Sequence, residues 1–222
     1  MRGPQLQQKL LALLLALLAT ACSSLPPPVL PELAESTQRI PVVLVPGATG
    51  ATLQERDSGK IVWGRGRDLI RPHDGGYGLA LPIAGGVVGE TNLEPGEVIE
   101  EMRLAGVIRK AIYSPIVEVL EANGYRLGDL ADPAPGDDLF LYAYDWRQDN
   151  ILSARRLAEL LEGVRQARGD ERLPVALICQ SNGAYICRWL AKFGKASLEE
   201  AEAGGMAMPE GVEVAKVILA GT

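Results

Sequence analysis

The sequence predicts an α/β domain built on a mainly parallel sheet with helices on both faces. Two observations carry that expectation. Apolar, β-branched runs recur at 40–45, 139–144, 175–179 and 212–219, and stretches with one apolar face lie between them at about 114–123, 151–167 and 183–194. Strands alternating with helices at this spacing build βαβ units, whose shared handedness lays helices over both faces. The composition fits: 222 residues, 47% hydrophobic and 23% charged, describe one globular domain without visible repeats.

Each element has a local reason. The run 40–45 is continuously apolar and is closed by Pro46-Gly47, as in a strand buried on both faces. From 48 to about 100 glycine recurs and no helical period persists, so this insertion is expected to be lid-like or a binding loop. Ser114 followed by Pro115 predicts an N-cap with proline at the first helical position, and Asn123-Gly124 predicts the stop. Residues 139–144 read as a strand. The helix at about 151–167 carries Leu157, Leu160, Leu161 and Val164 on one stripe. The run 175–179 gives way at Gly183 to a helix through Ile186, Trp189, Leu190 and Phe193, ending at Gly194, and 212–219 is the final strand. Nothing after Ala220-Gly221-Thr222 covers that strand, so the C-terminal part of the fold is expected to be missing.

The chain divides into a leader, a tether and a domain. Arg2 and Lys9 precede an uncharged stretch from Leu10 to Ala21, 12 residues long against the roughly 20 that span a bilayer. It closes on the small residues Ala19-Thr20-Ala21. That order is a secretory signal over 1–21, and the small residues before Cys22 resemble a bacterial lipobox, which implies an acylated Cys22 holding the protein on a membrane. The alternative is an ordinary secretory leader cleaved nearby. Ser23 resembles the choice made for the outer membrane in bacteria with two membranes. Residues 22–38, with Pro26-Pro27-Pro28 and Pro31, read as a semi-rigid tether, and the domain is expected over 39–222.

Charge and cysteine count exclude several classes. With 22 Lys and Arg against 28 Asp and Glu, the net charge of −6 argues against nucleic acid as a partner. Cys22, Cys179 and Cys187 make neither a disulfide scaffold nor a zinc site, since no histidine lies near them; Cys179 and Cys187 read as core thiols, with a bridge across the serine turn as the alternative. No metal or other cofactor is expected.

The sharpest local feature is Cys179-Gln180-Ser181-Asn182-Gly183 between an apolar run and a helix. A nucleophilic serine lifted above a sheet edge needs small residues two before and two after it, here Cys179 and Gly183. A plain helix-capping serine is the alternative. This turn stands in one order with Pro41-Val42-Val43-Leu44-Val45-Pro46-Gly47-Ala48-Thr49-Gly50-Ala51-Thr52-Leu53, with Val62-Trp63 after Gly59, and with Tyr144-Asp145-Trp146-Arg147. In these blocks, over about 40–222, the chain resembles the lecithin:cholesterol acyltransferase family. The resemblance implies an α/β-hydrolase fold and a serine acyl-enzyme acting on ester substrates, usually lipids, as an O-acyltransferase or a lipase- or phospholipase-type esterase. It implies Ser181 as nucleophile, with the backbone N–H groups of Ala48 and Asn182 as oxyanion donors, each worth about 2.7–4 kcal/mol in comparable enzymes.

The remaining candidates read as structural. Asp145 and Arg147 pair locally, and Asp145 precedes the nucleophile where the fold places its acid after it. Trp63 lines an acyl cleft or simply packs. Glu199, Glu200 and Glu202 form a solvated face. His73, the chain's only histidine, stands in an Arg71-Pro72-His73-Asp74-Gly75 turn long before Ser181, whereas the family order puts the base after it. The expected activity is therefore that of a fragment lacking acid and base. A non-catalytic membrane-tethered lipoprotein that binds lipid or a protein partner is the second expectation.

Overall fold

The computed structural model describes residues 26–35, 39–66, 72, 74–84, 87–89, 91–104 and 108–221. The leader 1–21, Cys22 and His73 lie outside the described residues. A short helix α1 (Pro31–Ala34) precedes β1 (Val42–Val45). The insertion then holds β2 (Ala51–Glu55), β3 (Ile61–Trp63), β4 (Ile83–Ala84), β5 (Val87–Val88), β6 (Leu93–Val98), β7 (Glu101–Leu104) and β8 (Ile108–Ala111). After it come α2 (Ser114–Ala122), β9 (Leu127–Gly128), β10 (Leu139–Leu141), α3 (Asn150–Arg168), β11 (Leu173–Gln180), α4 (Gly183–Phe193), α5 (Leu198–Glu202) and β12 (Val212–Ala220).

The main sheet has five strands in the order β12-β11-β1-β10-β9, every pair parallel. β1 is central because all four of its residues are buried, so both faces and both edges must be covered. Its side chains alternate in direction: Val43 and Val45 join the core beneath α3 and α4, while Val42 and Leu44 meet Val117 and Tyr113 on the α2 side. The alternation along β11 is equally regular, with Leu173, Val175, Leu177 and Cys179 fully buried against the two-helix face. Crossovers leave β1 toward β10 and return past it to β11, with helices on opposite faces. The sheet thus has a switch point at the carboxyl ends of β1 and β11, where open α/β sheets leave a crevice for ligands.

Two local expectations change. Ser114 is buried inside α2 rather than capping it; Tyr113 holds the cap position, and the Glu100 carbonyl accepts from the N–H groups of Ile112, Tyr113 and Ser114. The insertion is a folded β unit, not a loop: β3-β2-β6 form an antiparallel sheet, and β4-β5 and β7-β8 form hairpins. Its last hairpin runs on to Ala111. Glu199, Glu200 and Glu202 are exposed, as a solvated face should be, on α5, which Ser197 and Glu200 open with a capping box. No helix among the described residues is long and apolar enough to cross a membrane.

Candidate functional site

Ser181 is the first residue after β11 and lies at φ 48°, a left-handed conformation that costs a residue with a Cβ about 1–2 kcal/mol. Among the described residues only one other non-glycine has positive φ: Thr49, at 66°, in the Gly47–Gly50 turn that follows β1. The two strained turns meet at the switch point. A Cβ on Gly183 would stand 2.5 Å from the carbonyl oxygens of Val45 and Pro46, and one on Gly47 would overlap Gln180 Oε1 and stand 3.1 Å from Ser181 Cβ. Glycine at both positions lets the loops close to this distance. The sequence requirement for small flanks is therefore a contact requirement, met at Gly183 by β1's own backbone.

Cys179, on the other flank, is not a thiol. It is bonded to Cys187 on α4, both sulfurs wholly buried, so the strand end and the helix are joined across the serine turn. The core-thiol reading gives way to the bridge, because the sharp strand-to-helix reversal brings their Cα atoms to 6.5 Å, a geometry that a separation of eight residues does not itself specify. Closing so short a loop stabilises by about 2.5 kcal/mol in the chain-entropy account. Replacing both cysteines by alanine is expected to lower the unfolding free energy by that amount in urea titrations; a loss below about 0.5 kcal/mol would show that the bridge constrains nothing.

Two hydroxyl and amide networks hold the turn. The Asn182 side-chain amide donates to Tyr144 Oη at 3.1 Å and to Asn150 Oδ1 at 2.9 Å, and accepts from Asn150 Nδ2 at 3.1 Å. Tyr144 in turn donates to the Pro46 carbonyl at 3.0 Å. On the other side of β1, Tyr113 Oη accepts from Gly47 N–H and donates to Gln180 Oε1, both at 3.0 Å. Burial raises the Tyr113 phenol above its ordinary range and pushes Tyr144 up to about 12, so both stay protonated and keep these donor directions. Tyr113 and Asn150 were not singled out from sequence, and Tyr144 and Gln180 stood in the quoted blocks with no role assigned. Their common signal is position: each lies within a few residues of a strand or helix end at the same sheet edge.

The predicted oxyanion donors are free. Neither the Ala48 nor the Asn182 N–H has an acceptor among the described residues, and Asn182 opens the first turn of α4, where the helix dipole favours negative charge. No side chain among the described residues accepts from the Ser181 hydroxyl either. Asp145 and Arg147 pair as their spacing predicts, at 2.6 Å with side chains 8% and 5% exposed. Burial alone would raise Asp145, but hydrogen bonds from Arg147 and Gln148 outweigh it and hold the carboxyl below its ordinary value. Arg147 also donates to the Leu79 carbonyl and to Thr91 Oγ1, tying the β insertion to the sheet. Trp63 packs edge-on against Trp146 and donates to the Thr49 carbonyl, bracing the Ala48 turn. A cavity of about 590 Å³ lies within the insertion between Ile61, Val62, Asp74, Pro82 and Leu93, and none of the serine-turn residues lines it. Among the described residues no three His, Cys, Asp or Glu side chains could hold a metal ion together.

No family model matches the chain, and no curated protein matches its sequence. The geometry itself defines an α/β domain whose carboxyl edge presents a serine between two unoccupied backbone donors.

Proposed function

We propose that the chain is a member of the lecithin:cholesterol acyltransferase family with an α/β-hydrolase fold, carrying the nucleophile half of a serine esterase or O-acyltransferase that acts on lipid esters. The observation that carries this reading is the meeting of the two strained turns: Ser181 and the Ala48 turn are held against each other at the sheet's switch point, with both oxyanion N–H groups free. In the reaction, Ser181 Oγ attacks the ester carbonyl, the tetrahedral oxyanion sits between the Ala48 and Asn182 N–H groups, and collapse expels the alcohol. Water or a second alcohol then takes the acyl group. The serine proton needs an acceptor; no histidine follows Ser181 in the 222 residues, so acid and base come from residues outside them. The buried Cys179–Cys187 bridge supports export to an oxidising compartment, in line with a leader over 1–21 and a lipid anchor at Cys22.

Fluorophosphonate labelling tests the reading. In a folded chain extended through the coding sequence beyond Thr222, label is expected on Ser181 and lost in Ser181→Ala; a folded, extended chain that takes no label sinks it. The second reading, a non-catalytic lipoprotein binding lipid or a partner, draws on the lack of an acceptor for the Ser181 hydroxyl among the described residues and on the exposure of Tyr77 (86%) and Ile83 (66%) in the insertion. Ester turnover by residues 22–222 that disappears in Ser181→Ala would refute it.

A further inference from the structure

The proline-rich segment is read from sequence as a spacer, yet the described part of it is docked. Asn123, only 2% exposed and placed just after α2, clasps it with its amide: Oδ1 accepts from Leu30 N–H at 2.6 Å, and Nδ2 donates to the Pro28 carbonyl at 2.8 Å. The same Nδ2 donates to the Val119 carbonyl at 2.7 Å, so the clasp is fixed to the helix end. Further along, Arg39 pairs with Asp138 at 3.6 Å and lies over the Tyr125 ring.

Both attachments sit at the amino edge of the sheet. Residues 124–126 lead from Asn123 into β9; the Arg126 carbonyl accepts from Asp138 and Leu139 N–H, and the Asp138 carbonyl accepts from Val42 N–H at the start of β1. Ser181 is at the opposite edge, since Tyr113, at the other end of α2, contacts Gly47 and Gln180. α2 has nine residues and so places the two edges about 14 Å apart, and the β insertion is joined to the carboxyl edge, where Trp63 donates to the Thr49 carbonyl and Arg147 to the Leu79 carbonyl and Thr91 Oγ1. The domain as a whole is about 40 Å across.

We propose that Asn123 and the Pro28–Leu30 backbone form a latch that stands the domain on its anchor with Ser181 facing away from the bilayer holding Cys22. The ester then reaches Ser181 from outside that leaflet. This rests on the proposed roles of Cys22 and Ser181. Chain length decides it. Six residues run from Cys22 to Pro28, a reach of about 20 Å, too short to turn a 40 Å domain over onto its anchoring membrane. Without the latch the free length would extend to Arg39 and reach about 50 Å, enough to roll the carboxyl edge down.

The test uses the acylated chain in vesicles containing nitroxide lipid, with a fluorophore on Glu121→Cys beside the latch or on Tyr185→Cys beside Ser181. Cys179 and Cys187 are bonded and Cys22 is acylated, so the introduced thiol is the reactive one. Quenching several-fold stronger at 121 than at 185 is expected. Asn123→Ala should bring the two together and speed exchange of the Leu30 amide more than tenfold. Because Asn123→Ala also strips the end of α2, a second variant inserts about 15 Gly and Ser residues after Ser24, adding about 20 Å and raising quenching at 185 with the latch intact. Equal quenching at both sites in the parent chain, or Leu30 exchange unaltered by Asn123→Ala, overturns the latch. Absence of acyl mass on Cys22 overturns the anchor reading and the orientation with it, while fast Leu30 exchange in the parent chain overturns the latch alone.

Discussion

Arg147→Met is expected to destabilise the domain by about 3–5 kcal/mol, the usual consequence of removing one partner of a buried ion pair, and to lower Tm by about 10 °C. The cause is the carboxylate left behind. Asp145 keeps Gln148 as a donor but loses its cation in a site where both side chains are almost wholly enclosed. The pH dependence should change sign as well. In the parent chain Asp145 titrates below its unfolded value of 3.8, so its contribution is complete above that value and is lost as pH falls through the lower folded one. In the variant, burial acts without the cation and raises the folded value, so acidification relieves the penalty. Stabilities of the two chains should therefore converge on acidification toward pH 3–4, measured by urea unfolding at fixed pH; a constant gap would show that the charge of Asp145 is not what Arg147 serves. Loss of the Arg147 bonds to Leu79 and Thr91 should also speed amide exchange in the insertion before the sheet.

Gly183→Ala is the second large effect. Its Cβ would lie 2.5 Å from the carbonyl oxygens of Val45, the last residue of β1, and of Pro46 after it, main-chain atoms that cannot rotate away, so the helix start must shift. Overpacking of this kind costs about 1–3 kcal/mol, and a displacement near 1 Å at a reacting group costs about 100-fold in rate. The expected result is a folded protein whose Ser181 labels at least tenfold more slowly with fluorophosphonate. Gly163→Ala is the matched control. Gly163 lies inside α3 with open space around its Cα, and there the same substitution should stabilise by about 0.5–1 kcal/mol. If Gly183→Ala labels at the parent rate, close approach to β1 is not what shapes the serine turn.

Which elements could be read from sequence follows from how much each is buried. β1, α3, β11 and α4 fall within a residue or two of the expected spans because their apolar residues answer to the core on the two faces of the sheet; β12, mostly exposed, was legible from its β-branched run alone. The strands of the insertion were unreadable for the opposite reason. β6 runs Leu-Glu-Pro-Gly-Glu-Val, in which Pro95 and Gly96 signal a turn, and only pairing with β2 makes it a strand. At the site, Ser181, Asn182 and Gly183 were legible because a strand-to-helix turn imposes its own residue sizes. Tyr113, Tyr144 and Asn150 were not, since their roles depend on which element ends the topology brings together. Asn123 was legible only as a helix stop; its second function as a clasp is invisible without the segment it holds.

The central place of β1 in the sheet also bears on kinetics. Val42 pairs with Leu139 on one side and Ala176 on the other, each about a hundred residues or more downstream. Closing loops of that length is slow, and contacts of such long range put folding in the millisecond-to-second regime. The first sheet strand to be synthesised is thus among the last to find both neighbours, and until then its unbroken apolar run is the part of the chain most in need of shielding.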